Sequence, residues 1–153
     1  MARILVVDDH AANRELVVTL CKHLGHQHLE AADGAEALAV VRAERPQLVI
    51  CDILMPTMDG YEFVRQLRAE PEVAKTEVIF WTANYREPEA RNLANSLGVT
   101  RILFKPCEAE LIVQTIAAAL GHIAAPLLTA ANEQAFGREH LRLVTNKLAE
   151  KGD

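Results

Sequence analysis

Cysteine is scarce and scattered: Cys21, Cys51 and Cys107 are odd in number and none stands at the close spacing of a zinc or redox motif. They read as reduced structural thiols, not as a disulfide scaffold or a cysteine-built metal centre. Positive charge is also in short supply. With 16 Lys and Arg against 21 Asp and Glu, the net charge is −5, and the broad basic surface that nucleic-acid binding needs is missing. Direct contact with nucleic acid is therefore not expected. Long apolar runs are lacking too: after Met1-Ala2-Arg3, the run Ile4 to Val7 stops at two aspartates, too short for a signal peptide or a membrane span. A cytoplasmic protein without membrane association is the expectation. Half of the 153 residues are hydrophobic and 24% are charged, which excludes a disordered tail and a low-complexity fibre. A chain of this length forms one domain with room for an appendage.

What is present is an alternation. Short runs rich in Val and Ile trade places with segments of helical period, the pattern of a parallel sheet covered by helices on both faces. The first strand spans residues 3–7. A helix over about 11–24 follows, with Leu16, Leu20 and Leu24 as its apolar stripe and Gly25 as its stop. A short strand at 28–31 precedes the turn pair Asp33-Gly34 and a helix carrying Ala35, Leu38, Val41 and Arg42, which exits at Pro46. Leu48-Val49-Ile50-Cys51 is a central strand buried on both faces. A helix with Phe63, Val64 and Leu67, a strand at 77–81 closed by Thr82, and a helix over 87–97 come next, then a strand at 101–103 and a last helix over about 108–120. Five βα units result.

In an open parallel sheet, functional groups collect at the carboxyl ends of the strands. Here strand one ends in Asp8-Asp9, strand three in Asp52, strand four in Thr82, and strand five runs into Lys105. Singly, each has a plain explanation: an Asp after a strand caps the next helix, as Asp9 would cap the helix starting near Ala11; Thr82 is a strand-end hydroxyl; Lys105 is a solvated charge. Jointly they predict one pocket. Carboxylates about 4 Å apart repel by about 4 kcal/mol at an effective dielectric near 20, so a cation must offset them. A hard, oxygen-only ligand set suits Mg²⁺, with Asp9 and Asp52 as direct ligands and Asp8 reaching through water. Lys105 adds a fixed positive charge, leaving Asp52 an ionised nucleophile for phosphoryl transfer.

These residues resemble the response-regulator receiver family of two-component signalling, CheY-like domains. The resemblance lies in Ile4-Leu5-Val6-Val7-Asp8-Asp9, Asp52-Ile53-Leu54-Met55-Pro56-x-Met58-Asp59-Gly60, Thr82-Ala83 and Lys105-Pro106, over about Met1 to Leu120. It implies a doubly wound, flavodoxin-like (βα)5 fold, with Asp8 and Asp9 as the acid pair for Mg²⁺ (or Mn²⁺) and the backbone carbonyl of Leu54 completing the metal site. By the same resemblance, Asp52 accepts a phosphoryl group from a phosphohistidine of a histidine kinase or phosphotransfer protein, Thr82 and Lys105 read the phosphoryl oxygens, and the bond before Pro106 is cis. The family's chemistry is self-catalysed phosphoryl transfer and autodephosphorylation, so no conventional enzyme is expected. Gly60 is expected to relieve a tight loop beside the site.

One departure concerns the switch. Family members couple the threonine to an aromatic residue three positions before the lysine, and that position is Ile102 here, which cannot make a polar rotamer change. Trp81 and Tyr85 flank Thr82 as candidate substitutes, with plain packing an equal account of Trp81. His23, His26 and His28 lack a defined ligand geometry and read as surface residues. His10, beside the acid pair, is expected to edge the pocket without being a ligand.

Residues 1–121 are thus read as the receiver domain and 122–153 as a linker with an amphipathic connector helix, Leu141, Val144 and Leu148 recurring at heptad-like spacing. Such a helix resembles connectors that lead into a further domain, so the chain reads as a fragment feeding a downstream effector domain or protein. Homodimerisation through this helix or the face of the last sheet-packing helix is compatible with it, and so is plain packing on the chain's own domain. Three functions compete: a phosphorylation-controlled receiver, a receiver-like interaction module that is never phosphorylated, and a metal-dependent phosphatase. The third needs an acid at position 54, which is leucine; the filled reactive positions favour the first.

Overall fold

The computed structural model describes residues 2–55, 57–83 and 86–124, with side chains to residue 121. Pro56, Tyr85 and the expected connector helix lie outside the described residues. The chain divides by its contacts into residues 1–120 and 121–153, and the architecture below is that of the first unit.

Five strands, β1 (Arg3–Val7), β2 (Gln27–Ala31), β3 (Leu48–Cys51), β4 (Glu77–Thr82) and β5 (Arg101–Phe104), alternate with α1 (Ala11–His23), α2 (Gly34–Glu44), α3 (Gly60–Ala69), α4 (Glu87–Ser96) and α5 (Ala109–Ala124). The strands form one sheet in the order β2-β1-β3-β4-β5, and every pairing is parallel. This is the doubly wound (βα)5 flavodoxin-like fold. The strand order reverses between β1 and β3, so a crevice opens beyond their carboxyl ends.

Strand alternation divides the core in two. Leu5 and Val7 of β1, Val49 and Cys51 of β3, and Val78 and Phe80 of β4 pack with α2, α3 and α4 through Leu38, Val41, Phe63, Leu67 and Ala90. Ile4 and Val6, Leu48 and Ile50, Ile79 and Trp81, and Leu103 of β5 pack with α1 and α5 through Val17, Val18, Cys21, Ile112 and Ile116. A strand buried on both faces must be apolar throughout, as β3 is.

The helices begin and end where local chemistry dictates. Asp33 caps α2 and Asp59 caps α3, their side chains accepting from the N–H of Glu36 and Glu62. Asp33-Gly34 is thus a cap and a first helical residue, more than a turn. Gly25 at φ 81° terminates α1 and Gly98 at φ 71° follows α4, both in the left-handed region glycine enters at little cost. The buried stripe of α1 is Val17, Val18 and Cys21, not the expected leucines: Leu16 is 43% exposed, and Leu20 and Leu24 only flank the core. A shift of one residue, about 100° of rotation about the axis, separates the two readings, and the face carrying Val17, Val18 and Cys21 is the one turned to the sheet. On α2, Ala35 is exposed while Ala37, Leu38 and Val41 are buried.

Candidate functional site

The sheet ladder carries the site residues past the strand ends. Asp8 N–H donates to Ala31 O at 3.2 Å, Asp52 N–H to Val7 O at 2.9 Å and Lys105 N–H to Thr82 O at 2.7 Å. Since Val7 pairs with Cys51, Asp8 and Asp52 emerge side by side. Alternation puts both on the α1/α5 side of the sheet, continuing the rows of Ile4, Val6 and of Leu48, Ile50. Leu103 is on that side of β5, so Lys105, two residues on, points the same way.

The side chains meet accordingly. Lys105 Nζ lies 2.7 Å from Asp8 Oδ2 and 3.1 Å from Asp52 Oδ2, and all three side chains are largely withdrawn from solvent, Asp8 to 1%, Asp52 to 8% and Lys105 to 11%. Ligand-type atoms of Asp8, Asp9, His10 and Asp52 all fall within 4.8 Å of one another. Burial pushes the Asp52 carboxyl above its ordinary value; the Lys105 ammonium, and the Leu54 N–H that donates to Asp52 Oδ1 at 3.3 Å, pull it back down, while Asp8 adds to the rise.

Around this centre the backbone is closely fitted. A Cβ on Gly60 would stand 2.1 Å from the carbonyl oxygen of Asp52 and 2.9 Å from Cα of Ile53, and Gly60 N–H donates to Ile53 O at 2.7 Å. The glycine is needed for this close approach, as its φ is unremarkable. Gly34 plays the same part against Met58, whose carbonyl oxygen would lie 2.7 Å from an added Cβ. The Lys105–Pro106 peptide bond is cis.

Thr82 is fully buried, and among the described residues no group hydrogen-bonds its Oγ1. Buried hydroxyls are seldom left so. Asp9 Oδ1 is in the same position, although His10 Nδ1 approaches to 3.2 Å without hydrogen-bond geometry. His10 is 69% exposed, its Nδ1 3.5 Å from Asp8 Oδ1, and it, not Asp9, is the N-cap of α1, without a side-chain cap bond. Asp8 Oδ1 instead accepts from His10 N–H at 2.9 Å. The capping role weighed for Asp9 is therefore not taken up. Leu54 is 42% exposed at the rim. Ile102 is half-buried and packs against the α2/α3/α4 side, away from the acids. His26 Nδ1 accepts from Ala2 N–H at 3.1 Å and His28 sits 4.0 Å from Glu30, so these histidines have separate partners.

Two contacts escape sequence reasoning. The Trp81 indole N–H donates to Asp8 Oδ2 at 3.2 Å, and Arg14 donates to the Asp8 carbonyl at 2.8 Å. Trp81 had a signal, its place one residue before Thr82 on the α1/α5 side of β4; Arg14, on the first turn of α1, had none.

A doubly wound sheet whose switch-point crevice gathers three aspartates and a lysine is the arrangement of a receiver domain, and this chain belongs to the response regulator receiver domain family, whose model matches residues 4–117. Among similar proteins is Protein PilH of Pseudomonas aeruginosa, 34% identical over 120 residues, which are 78% of this chain and 98% of PilH. The sensor histidine kinase RcsC of Escherichia coli is 38% identical over 114 residues, 74% of this chain but only 12% of RcsC. Among solved structures, the chemotaxis protein CheY4 of Vibrio cholerae superposes with a TM-score of 0.73 at 32% identity, covering 78% of this chain and 98% of that one. The fold and the membership of two-component signalling are thereby established.

Proposed function

We propose that this domain takes a phosphoryl group onto Asp52 from a phosphohistidine of a histidine kinase or phosphotransfer protein and passes the resulting change to a downstream domain or protein. The observation that carries the reading is the Asp52 carboxylate at the end of the central strand, 3.1 Å from the Lys105 ammonium and inside an acid cluster spanning at most 4.8 Å.

The donor set fits a divalent cation. It is built of hard carboxylate oxygens, and Asp9 Oδ1 is buried without a hydrogen bond. Asp8, Asp9 and Asp52, with the carbonyl of Leu54, would hold Mg²⁺ or Mn²⁺. Once bound, such an ion supplies the charge that offsets the carboxylates and the phosphoryl oxygens.

The chain's own residues do the rest. An oxygen of Asp52 forms the new O–P bond as the donor's bond to phosphorus breaks, and the electron pair of that bond leaves with the donor. Lys105 keeps Asp52 ionised against its burial and then meets the negative oxygens of the transferred group. The Thr82 hydroxyl, without a hydrogen bond among the described residues, donates to one of them. Because Ile102 offers no polar rotamer change, output runs through Thr82 and the loop after β4 without an aromatic partner on β5. Residues 1–121 form this receiver, and residues 122–153 connect it to what lies downstream.

Incubation with acetyl phosphate and Mg²⁺, read by intact mass, tests the proposal. Wild type should gain one phosphoryl group and Asp52→Asn none; equal gain in both, or none in either while Mg²⁺ binds, would refute it.

A further inference from the structure

Trp81 is 3% exposed in the α1/α5-side core, and burial alone would account for its ring. It does not account for where the polar parts of the indole go. The N–H meets Asp8 Oδ2 at 3.2 Å, the same oxygen that accepts from Lys105 Nζ at 2.7 Å. The Lys105 ammonium in turn lies 5.3 Å from the centroid of the ring. One side chain thus touches both a cluster acid and the cluster's cation.

We infer that Trp81 is a positioning residue of the phosphoryl-transfer site, fixing the Asp8 carboxylate by its N–H and the Lys105 ammonium by its ring face; this rests on the reading of Asp52 as acceptor. A buried indole N–H must find an acceptor, and it finds one 73 residues away in the chain. With Oδ2 of Asp8 held by two donors, the plane of that carboxylate is set, and Oδ1 is turned to His10, accepting from its N–H at 2.9 Å with its Nδ1 at 3.5 Å. The two edges of Asp8 therefore differ: Oδ2 is anchored by Trp81 and Lys105, and Oδ1 is engaged by His10; a carboxylate held in this way is pre-oriented for any cation that Asp8 helps to hold.

Lys105 gains by the same arrangement. Its ammonium is held by Asp8, Asp52 and the ring, and an aromatic face attracts a cation more strongly when water is excluded. When Asp52 becomes an acyl phosphate, the contact to its oxygen is exchanged for one to a phosphoryl oxygen, while Asp8 and the indole keep the ammonium in place. The aromatic that senses the site is then on β4, beside Thr82, and not on β5, where Ile102 stands.

Trp81 is the only tryptophan in the chain, so its indole gives one unambiguous resonance. In the ¹⁵N-labelled full chain, that N–H should exchange slowly, shift on addition of Mg²⁺ and be displaced in Asp8→Ala. Trp81→Leu, losing both contacts, should slow phosphoryl incorporation from acetyl phosphate and weaken Mg²⁺ binding by roughly tenfold each, the usual effect of removing a group that orients a metal ligand. Trp81→Phe keeps the ring and loses the N–H, so it should recover part of the rate but not the Mg²⁺ affinity. Folded variants with wild-type rate and affinity would overturn the inference. So would an indole resonance in wild type that ignores both Mg²⁺ and Asp8→Ala, a result that stands even where the Trp81 variants do not fold. If wild type takes up no phosphoryl group, the acceptor reading fails, and the indole resonance still decides whether Trp81 anchors Asp8.

Discussion

Lys105 and Asp52 pull the fold in opposite directions. Lys105 is the partner that keeps two buried acids tolerable, and removing one member of a buried ion pair costs about 3 kcal/mol because the remaining charge is stranded. Lys105→Met should therefore lower the stability of the metal-free protein by about that much in urea titrations. Asp52→Asn should do the reverse. Its carboxyl is raised in the folded protein, chiefly by burial, so between the ordinary carboxylate value and the raised one the folded state holds a proton the unfolded state has lost. Stability then declines as pH climbs through that window and stays reduced above it. The amide has no such loss, so Asp52→Asn should unfold at a higher temperature than wild type at neutral pH in chelator-containing buffer, and the gap should close at pH 3. A variant less stable than wild type at neutral pH would contradict this.

The three thiols differ in the same physical terms. Burial raises Cys21 to about 11, and burial with the charges of Asp52 and Asp8 holds Cys51 well above the usual thiol range. Only the thiolate reacts. At pH 8, a thiol reagent should modify the native protein at Cys107 alone, the half-buried one, with Cys21 and Cys51 labelled only after unfolding; peptide mapping checks it.

At the scale of elements, the loop after β3 and the start of α3 hold the acceptor in place. Asp59 caps α3, and Gly60 leaves no space for a methyl group against the Asp52 carbonyl. Gly60→Ala must move backbone, not a flexible side chain, so it should cost about 1–3 kcal/mol of stability, and it should slow phosphoryl uptake more than a surface alanine elsewhere on α3. Elements were also where the sequence was easiest to read. Uninterrupted apolar runs such as Leu48 to Cys51 and the glycines at 25 and 98 mark strands and helix ends directly, because each is a one-dimensional signal. The face of α1 was less legible: Leu16, Leu20 and Leu24 keep helical period as well as Val17 and Cys21 do, and only the packed sheet decides between neighbouring stripes. Asp9 as a helix cap was a fair local expectation, but its neighbour His10 takes the cap position.

Over the whole molecule, the site is a product of topology. Asp8, Asp52 and Lys105 are far apart in sequence and become neighbours because three parallel strands end at one edge, a regularity that fold class alone makes visible. That is why their joint placement could be expected from residue types and order. The Trp81 contacts could not, since they depend on which side of β4 faces the acids and how an indole turns within the core. Among the described residues, no helix is long and apolar enough to cross a membrane.

The central claim is that Asp52, and no other acid of the cluster, takes the phosphoryl group. Borohydride reduction of the acetyl-phosphate-treated protein, followed by peptide mass spectrometry, tests it most directly, because an acyl phosphate is reduced to the alcohol while a free carboxylate is not. Homoserine is expected at position 52, and only when phosphodonor and Mg²⁺ are both present. Homoserine at position 8 or 9 instead, or none at any position in protein shown to bind Mg²⁺, would contradict it.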